Sequence, residues 1–378
     1  MNRIRNALIV GGGIGGLSAA IALRRQGIDV DVAEIRRDWT VYHVGVVVQA
    51  NCIRALQSLG IADEAVACGF PYNGLTFQDT DGKVLARIPG NKLAGPDYPT
   101  HLGMTRPALH ELLTRTAREA GARLHAGLTY QSFTQSDDAV HVKLSDGSER
   151  AFDLVVGADG VYSQLRRDLF GAQYQPHFTG QGTWRYNVRR PPELTSSFVA
   201  MGAAIPFGKC GFIPLSADTG YVWLVQSEPG NPRHPPEQLA AILRERLAGC
   251  TGILAQLREQ IVDPALVVYR PLESLLMPAP WYVGRILLIG DAAHATTPHM
   301  GQGAAQAVED AVVVGEIMGQ DAPIATLMEQ FMQRRYERCR FIVESSLQIG
   351  AWEQNGTANN PLAVELTKKM VEVVAAPL

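Results

Sequence analysis

"ALIVGGGIGGLSAAIAL", residues 7–23, decides how the rest of the chain is read. It is apolar and follows Arg3 and Arg5, so a secretory signal is one reading. A strand, turn and helix opening a nucleotide-binding unit is the other. The glycines separate them. Gly11, Gly12, Gly13, Gly15 and Gly16 would interrupt a signal's apolar region, and no small-residue cleavage site closes the stretch. As strand, turn and helix, every position has a task. "NALIVG" is a short buried strand, and Gly11, Gly13 and Gly16 form G-x-G-x-x-G directly after it. "LSAAIALRRQ" is helical and stops at Gly27, a residue suited to a left-handed helix end. "IDVDVAE" alternates as a second strand and ends at Glu34, roughly 20 residues past the central glycine. The first glycine permits the tight turn, the second lets backbone approach a pyrophosphate, and the third lets helix and strand pack closely. The pyrophosphate would sit on the free N–H groups of the helix start, and Glu34 would accept hydrogen bonds from ribose hydroxyls.

The bulk properties set bounds without naming a function. The chain has 378 residues, 46% of them hydrophobic and 19% charged, enough for one large core or two coupled ones. A formal net charge of -3 gives no electrostatic reason to expect nucleic acid or an anionic membrane as partner. Cys52, Cys68, Cys210, Cys250 and Cys339 show no C-x-x-C spacing, which suggests reduced thiols in a cytoplasmic protein and no metal site. No run of roughly 20 residues is apolar enough to span a bilayer.

The fingerprint alone does not separate NAD from FAD. Two later stretches bear on this. "FDLVVGADGVYSQLRRDLFG" (152–171) is a buried strand, then Asp159-Gly160, then a helix carrying Ser163 and Arg166. "GRILLIGDAAHATTPHMGQGAAQAVEDAVVVGEIM" (284–318) is a strand ending at Gly290-Asp291, a loop, and a helix beginning near Gly301. With these three motifs in order, residues 5–345 resemble the FAD-dependent aromatic hydroxylases, the single-component flavoprotein monooxygenases that include salicylate, hydroxybenzoate and urate hydroxylases.

The resemblance implies a cofactor set. Gly11, Gly13, Gly15, Gly16, Glu34 and Arg36 would serve the ADP half of FAD, and Asp291 the ribityl chain. Pro298 and the backbone of Gly301, Gln302, Gly303 and Ala304 would meet the flavin. Arg106 in "MTRPALHELL" matches an arginine beside the FAD, and Asp159 one linked to both FAD and nicotinamide. The sequence also departs from the family. His43 stands where a glycine or arginine is usual in the loop after the second strand, and Ala50-Asn51 replaces the usual Pro-Asn.

Between about residues 176 and 270 the pattern changes to alternating, aromatic-containing strands with Gly, Pro and Asp turns. "GLTFQDTDGKVLARIP" (74–89) reads as a hairpin turning at Asp81-Gly82 and returning to the same sheet. The expected fold is therefore α/β (α+β overall): a Rossmann-like FAD-binding domain, a β-sheet substrate domain and a C-terminal helix. Residues 1–73, 98–175 and 272–340 would make the first domain. The hairpin 74–97 and the sheet 176–271 would make the second, with 341–378 a C-terminal helical segment. Strand alternation leaves at least two of Trp184, Tyr186, Tyr221 and Trp223 as ordinary core aromatics. Arg334, Arg335, Arg338 and Arg340 read as the solvated or subunit-contacting face of the tail helix.

By the same resemblance the activity is an NAD(P)H- and O2-dependent hydroxylation of a small aromatic or N-heteroaromatic compound, through a peroxide formed at flavin C4a. NAD(P)H would be a cosubstrate and, since only one fingerprint exists, would bind without a Rossmann domain of its own. His299 and Tyr221 are candidate bases or acceptors for a phenolic ring, each with a structural alternative, and Arg185 would steer a carboxylate. A monomer or homodimer is expected. The alternative is a non-catalytic or redox-sensing FAD protein, or another FAD oxidoreductase of the same fold.

Overall fold

The computed structural model describes residues 3–39, 41–356 and 361–378. The apolar "ALIV" run forms the central strand (Asn6–Val10) of a six-stranded sheet, and all four of those residues are buried. It is flanked in parallel by Asp29–Glu34 on one side and Leu154–Gly157 on the other. Arg123–Ala126 and Ile286–Leu288 continue the parallel sheet outward, and only the edge strand Tyr282–Val283 runs antiparallel. A strand buried on both faces needs continuous apolar sequence, which Asn6–Val10, Leu154–Gly157 and Ile286–Leu288 carry as ALIV, LVVG and ILL. The fingerprint helix (Ile14–Arg25) and the Gly303–Met318 helix cover the sheet, with residues from both in its core.

The second sheet has seven strands, in the order Val268–Ser274, His177–Arg189, Thr219–Ser227, Gly208–Pro214, Phe198–Met201, Leu75–Asp79, Val84–Ile88. It is antiparallel except where the 75–88 hairpin joins Phe198–Met201 in parallel. Side-chain alternation gives it two unlike faces. Trp184, Tyr186, Val188, Cys210, Phe212, Val222 and Leu224 form a core with Leu243, Leu247, Leu254 and Leu257. Arg185, Asn187, Tyr221 and Trp223 therefore face the other way. Register places Arg185 opposite Trp223, and Asn187 opposite Tyr221. Trp184 and Tyr186 are the core pair of the four aromatics.

The tail is a helix running unbroken over Ile324–Gln354, across residue 340, followed by a second helix over Pro361–Ala375. Arg334 and Arg340 are surface residues, paired with Glu316 and with Glu337 and Glu344 respectively. The expectation of a solvated arginine face fails for the other two. Arg335 has no exposed surface and Arg338 only 9%. Both turn inward because buried carboxylates on the Gly303–Met318 helix wait for them.

Candidate flavin and substrate site

The glycines of the fingerprint divide the labour as their spacing requires. Gly11 turns with φ +107°, and a Cβ there would lie 2.3 Å from the Ala158 carbonyl oxygen. A Cβ on Gly16 would lie 2.0 Å from the Gly11 carbonyl oxygen, so strand and helix touch at this point. Gly13 differs: a Cβ on it would meet nothing within 4 Å, and no side chain caps the helix it starts. Helix-start N–H groups thus face open space, a seat for an anion. The loop is held from behind. Glu34 accepts from the backbone N–H of Gly12 at 2.8 Å and of Arg36 at 2.9 Å, which leaves lone pairs for other donors. The Gly12 carbonyl accepts from Trp39 Nε1 at 2.9 Å and pairs with His110 Nε2 at 3.0 Å. Nothing in the motif foretold Trp39 or His110, which arrive from outside it.

A second helix start lies beside the first. Gly15 packs on Ala307, Ala22 on Gly315, and Gln26 on Gly319. The nearly constant offset means that the two helices run parallel, with their positive ends adjacent. Gln302, at the start of the second helix, makes no side-chain cap, and the first turn carries no acidic residue. Gly301 has φ +64°, and Gln49 Nε2 donates to the Met300 and Gly301 carbonyls at 2.9 and 3.1 Å, fixing the turn. The Gln302 side chain is engaged within the protein, donating to Gln49 Oε1 at 2.6 Å and accepting from Asn51 at 2.9 Å.

Asp291 comes just after the strand Ile286–Leu288, past Ile289 and Gly290, and opens the short helical turn Asp291–His294. Its surface is exposed, yet burial is the largest influence on its carboxyl and pushes it above the ordinary range. Exposure amid dense protein is the signature of a residue on a groove floor. Asp159 has one carboxylate oxygen accepting from Leu165 N at 3.1 Å, while the other is buried without a partner, and burial raises its pKa. Arg166 ties this turn to the Asp291 loop by donating to the carbonyls of Val161, Tyr174 and Ala292. Arg106 begins its helix next to Pro107, and its Nε is also buried without a partner. Its charge is felt by Asp291, Arg185 and Tyr221, so it stands between the groove and the seven-stranded sheet. An open glycine cradle, two uncapped helix starts, a carboxylate on the groove floor and orphaned polar atoms fit a dinucleotide carrying a flavin.

Under the second helix the polar groups are paired. Asp310 accepts from Gly290 N at 2.8 Å and Arg335 Nε at 2.7 Å, and pairs with His294 at 2.6 Å. Burial opposes its ionisation, but His294 and Arg335 overcome that and hold it at about 2. Glu309 is held by Arg335, Arg338 and Asn51. His294, Asp310 and Cys339 bring metal-type donor atoms within 4.8 Å of one another, but the Arg335 guanidinium already occupies Asp310 and donates to Cys339. The arginine partners of Glu309 and Asp310 come from the tail helix and carry no local signal.

On the sheet side, Tyr221 lies against Gly45, where a Cβ would sit 2.5 Å from its ring. Burial raises its phenol pKa, with Arg185 and Arg106 opposing. Burial likewise lowers Arg185, to about 10. His43, the departure from the family pattern, meets the Leu266 carbonyl at 3.1 Å, and its own carbonyl accepts from Asn187. The His299 side chain is only 1% exposed, so it is no surface loop residue. Its Nδ1 meets Thr297 Oγ1 at 2.8 Å and its Nε2 faces Glu353 at 3.2 Å. Glu353 also binds Lys209 at 2.5 Å. Against the effect of burial, Lys209 and His299 hold this carboxyl at about 2, whereas burial lowers the pKa of His299. The structure thus brings Arg106, Arg185, Tyr221 and Asp291 into one electrostatic neighbourhood and sets His299 in a separate buried pair.

Residues 5–322 match the model of the FAD binding domain family. The 2-heptyl-3-hydroxy-4(1H)-quinolone synthase of Pseudomonas aeruginosa is 33% identical over 97% of this chain and 94% of its own. The aurachin C monooxygenase/isomerase of Stigmatella aurantiaca is 30% identical over 98% of this chain and 94% of its own. The crystal structure of Klebsiella pneumoniae HpxO with FAD and uric acid superposes with a TM-score of 0.86 at 26% identity, covering 99% of this chain and 97% of that one. The chain belongs to the FAD binding domain family and is an FAD-dependent monooxygenase of the aromatic hydroxylase type.

Proposed function

We propose that the protein uses NADH or NADPH and O2 to hydroxylate a small N-heteroaromatic or phenolic ring held between the flavin groove and the inner face of the seven-stranded sheet. The observation that carries this reading is the pair of parallel, uncapped helix starts above Asp291, opposite a sheet face bearing Arg185, Asn187, Tyr221 and Trp223. The names of similar proteins, which include a quinolone, uric acid and 6-hydroxynicotinate, favour a nitrogen heterocycle. The five cysteines are all free, which suits a cytoplasmic location.

Bound FAD, reduced by the nicotinamide, supplies oxygen activation and transfer of one oxygen atom to the ring, the other leaving as water. The chain supplies position, field and dryness. Backbone N–H groups from Gly13 to Gly16 would hold the pyrophosphate, Glu34 the ribose, and Asp291 the ribityl hydroxyls. The Gly303–Met318 helix start would favour negative charge on a flavin bound there, by ~0.3–1 kcal/mol if exposed and up to ~2 kcal/mol if partly buried. Tyr221 hydrogen-bonds the substrate. His299, with Nδ1 at Thr297 Oγ1 and Nε2 buried beside Glu353, sets the wall beside the flavin loop.

The test is rapid mixing of the FAD-loaded protein with NADH or NADPH, with and without a panel of hydroxypyridines, quinolones and phenols. A true substrate accelerates flavin reduction by about tenfold or more, equivalent to ~1.4 kcal/mol of barrier. Reduction equally fast with and without every compound that is hydroxylated would defeat the coupling.

A further inference from the structure

Gly12 fills the open place in G-x-G, and the peptides on both its sides are gripped. Its N–H donates to Glu34 Oε2 at 2.8 Å. Its carbonyl takes two donors, Trp39 Nε1 at 2.9 Å and His110 Nε2 at 3.0 Å. A carbonyl only accepts, so His110 carries its proton on Nε2. The two donor rings also meet each other edge to face, with 6.0 Å between centroids.

Trp39 adopts an uncommon backbone to be there. Its φ of +48° lies in the left-handed region, which a bulky side chain rarely enters. Its ring fills the space that a side chain at position 12 would need, since a Cβ on Gly12 would lie 2.2 Å from it. The motif leaves this position open, so the glycine here answers to Trp39. The two donors reach the carbonyl from separate elements. Trp39 belongs to the loop after Asp29–Glu34, and His110 to the helix Arg106–Glu119, one turn past Arg106.

The consequence lies at the other end of the same peptide. The bond from Gly12 to Gly13 is trans and planar, so the Gly12 carbonyl and the Gly13 N–H point in opposite directions. Two successive glycines have no side chains to restrain the peptide between them. Two donors on its carbonyl fix it from outside. They also polarise the amide, which strengthens its N–H as a donor. That N–H is aimed away from Trp39 and His110, at the uncapped start of the Ile14–Arg25 helix. A Cβ on Gly13 would meet nothing within 4 Å, so there is room for a ligand.

Resting on the flavoenzyme reading above, we propose that Trp39 and His110 are positioning residues for the cofactor. They act through the backbone, locking the Gly12–Gly13 peptide with its N–H turned toward the pyrophosphate of FAD.

The test titrates FAD into the full chain freed of it, as wild type and as three variants. Trp39→Phe keeps a ring and removes one donor, His110→Leu removes the other, and His110→Gln retains a donor. Trp39→Phe and His110→Leu should each bind FAD about tenfold more weakly (~1.4 kcal/mol), with His110→Gln near wild type. In the two weakened variants the 31P resonances of bound FAD should move toward those of free FAD. The visible absorption of the bound flavin should stay that of wild type, whereas a general loosening of the groove would alter both signals. Unchanged FAD affinity in folded Trp39→Phe or His110→Leu, weaker binding with unchanged 31P resonances, or an equal loss in His110→Gln would overturn the proposal. The donors come from different elements, so a variant that fails to fold leaves the other to decide. A wild-type chain that takes up no FAD refutes the flavoenzyme reading before any variant is made, whereas variants that bind FAD as wild type does refute this proposal alone.

Discussion

Two polar regions flank the flavin groove and differ in how completely they are paired. Beneath the Gly303–Met318 helix, Glu309, Asp310, Arg335, Arg338, His294 and Asn51 satisfy one another without help from any ligand. On the groove and the sheet face, Asp159, Arg106, Asn187 and Trp223 each keep a buried atom unpaired. Both regions contain charges that water rarely reaches. The first is scaffold, because a satisfied network rigidifies what it joins. The second is a binding surface, whose polar atoms are completed by molecules that arrive.

The contrast can be broken most sharply in the scaffold. Arg335→Met leaves Glu309 and Asp310 buried with a missing partner, and should cost ~3–5 kcal/mol in chemical denaturation. A loss below ~1 kcal/mol would mean the network is not the support described here. Asp291→Asn belongs to the other class and should weaken FAD by ~1.5–3 kcal/mol per ribityl hydrogen bond lost. It should also stabilise the FAD-free protein at neutral pH. The folded Asp291 carboxyl is raised, so the folded state binds this proton more tightly than the unfolded chain does. Stability therefore falls as pH climbs from the ordinary carboxylate range near ~4, and the amide removes that loss. Glu353 has the opposite sign. Held at about 2 in the fold, it stabilises above the ordinary glutamate range and loses that contribution as pH falls toward 2. Melting curves of wild type and Glu353→Gln across acidic pH would separate the two behaviours.

Gly13→Ala sharpens the comparison further. Its methyl meets open space, so FAD-free stability should stay within ~0.5 kcal/mol of wild type. FAD titration should nonetheless show about tenfold weaker binding, ~1.4 kcal/mol, because the methyl occupies the pyrophosphate seat. Unchanged affinity would move the pyrophosphate elsewhere. The smallest effect is expected at Arg340→Ala on the tail helix. Its partners Glu337 and Glu344 are exposed, so a denaturant melt should move by no more than ~0.5 kcal/mol.

What the sequence revealed follows from range. The fingerprint, the Asp159-Gly160 turn and the Gly290-Asp291 strand end are local arrangements, in which spacing alone sets geometry. Alternation likewise left at least two of Trp184, Tyr186, Tyr221 and Trp223 as core aromatics, and the packed sheet shows that Trp184 and Tyr186 are the pair. What stayed hidden depends on distant partners. Trp39 and His110 grip the Gly12 carbonyl from a loop and a helix outside the motif. Arg335 and Arg338 look like half of a polar helix face until the carboxylates of another helix are placed beside them. His299 reads either as a base for a phenolic ring or as a loop residue until Glu353 is placed beside it. Amphipathic periodicity weighs burial by residue type, and it has no way to register a buried charge whose counter-charge lies elsewhere in the chain.

The central claim is that FAD in this groove delivers oxygen to a ring on the facing sheet. Turnover of the FAD-loaded protein under 18O2, with any compound that accelerates flavin reduction, tests it most directly. The account predicts a product one labelled oxygen atom heavier, with Gly13→Ala and Asp291→Asn restored toward wild-type yield by excess FAD. Consumption of NADH or NADPH with every labelled atom recovered as hydrogen peroxide, for all such compounds, would contradict it.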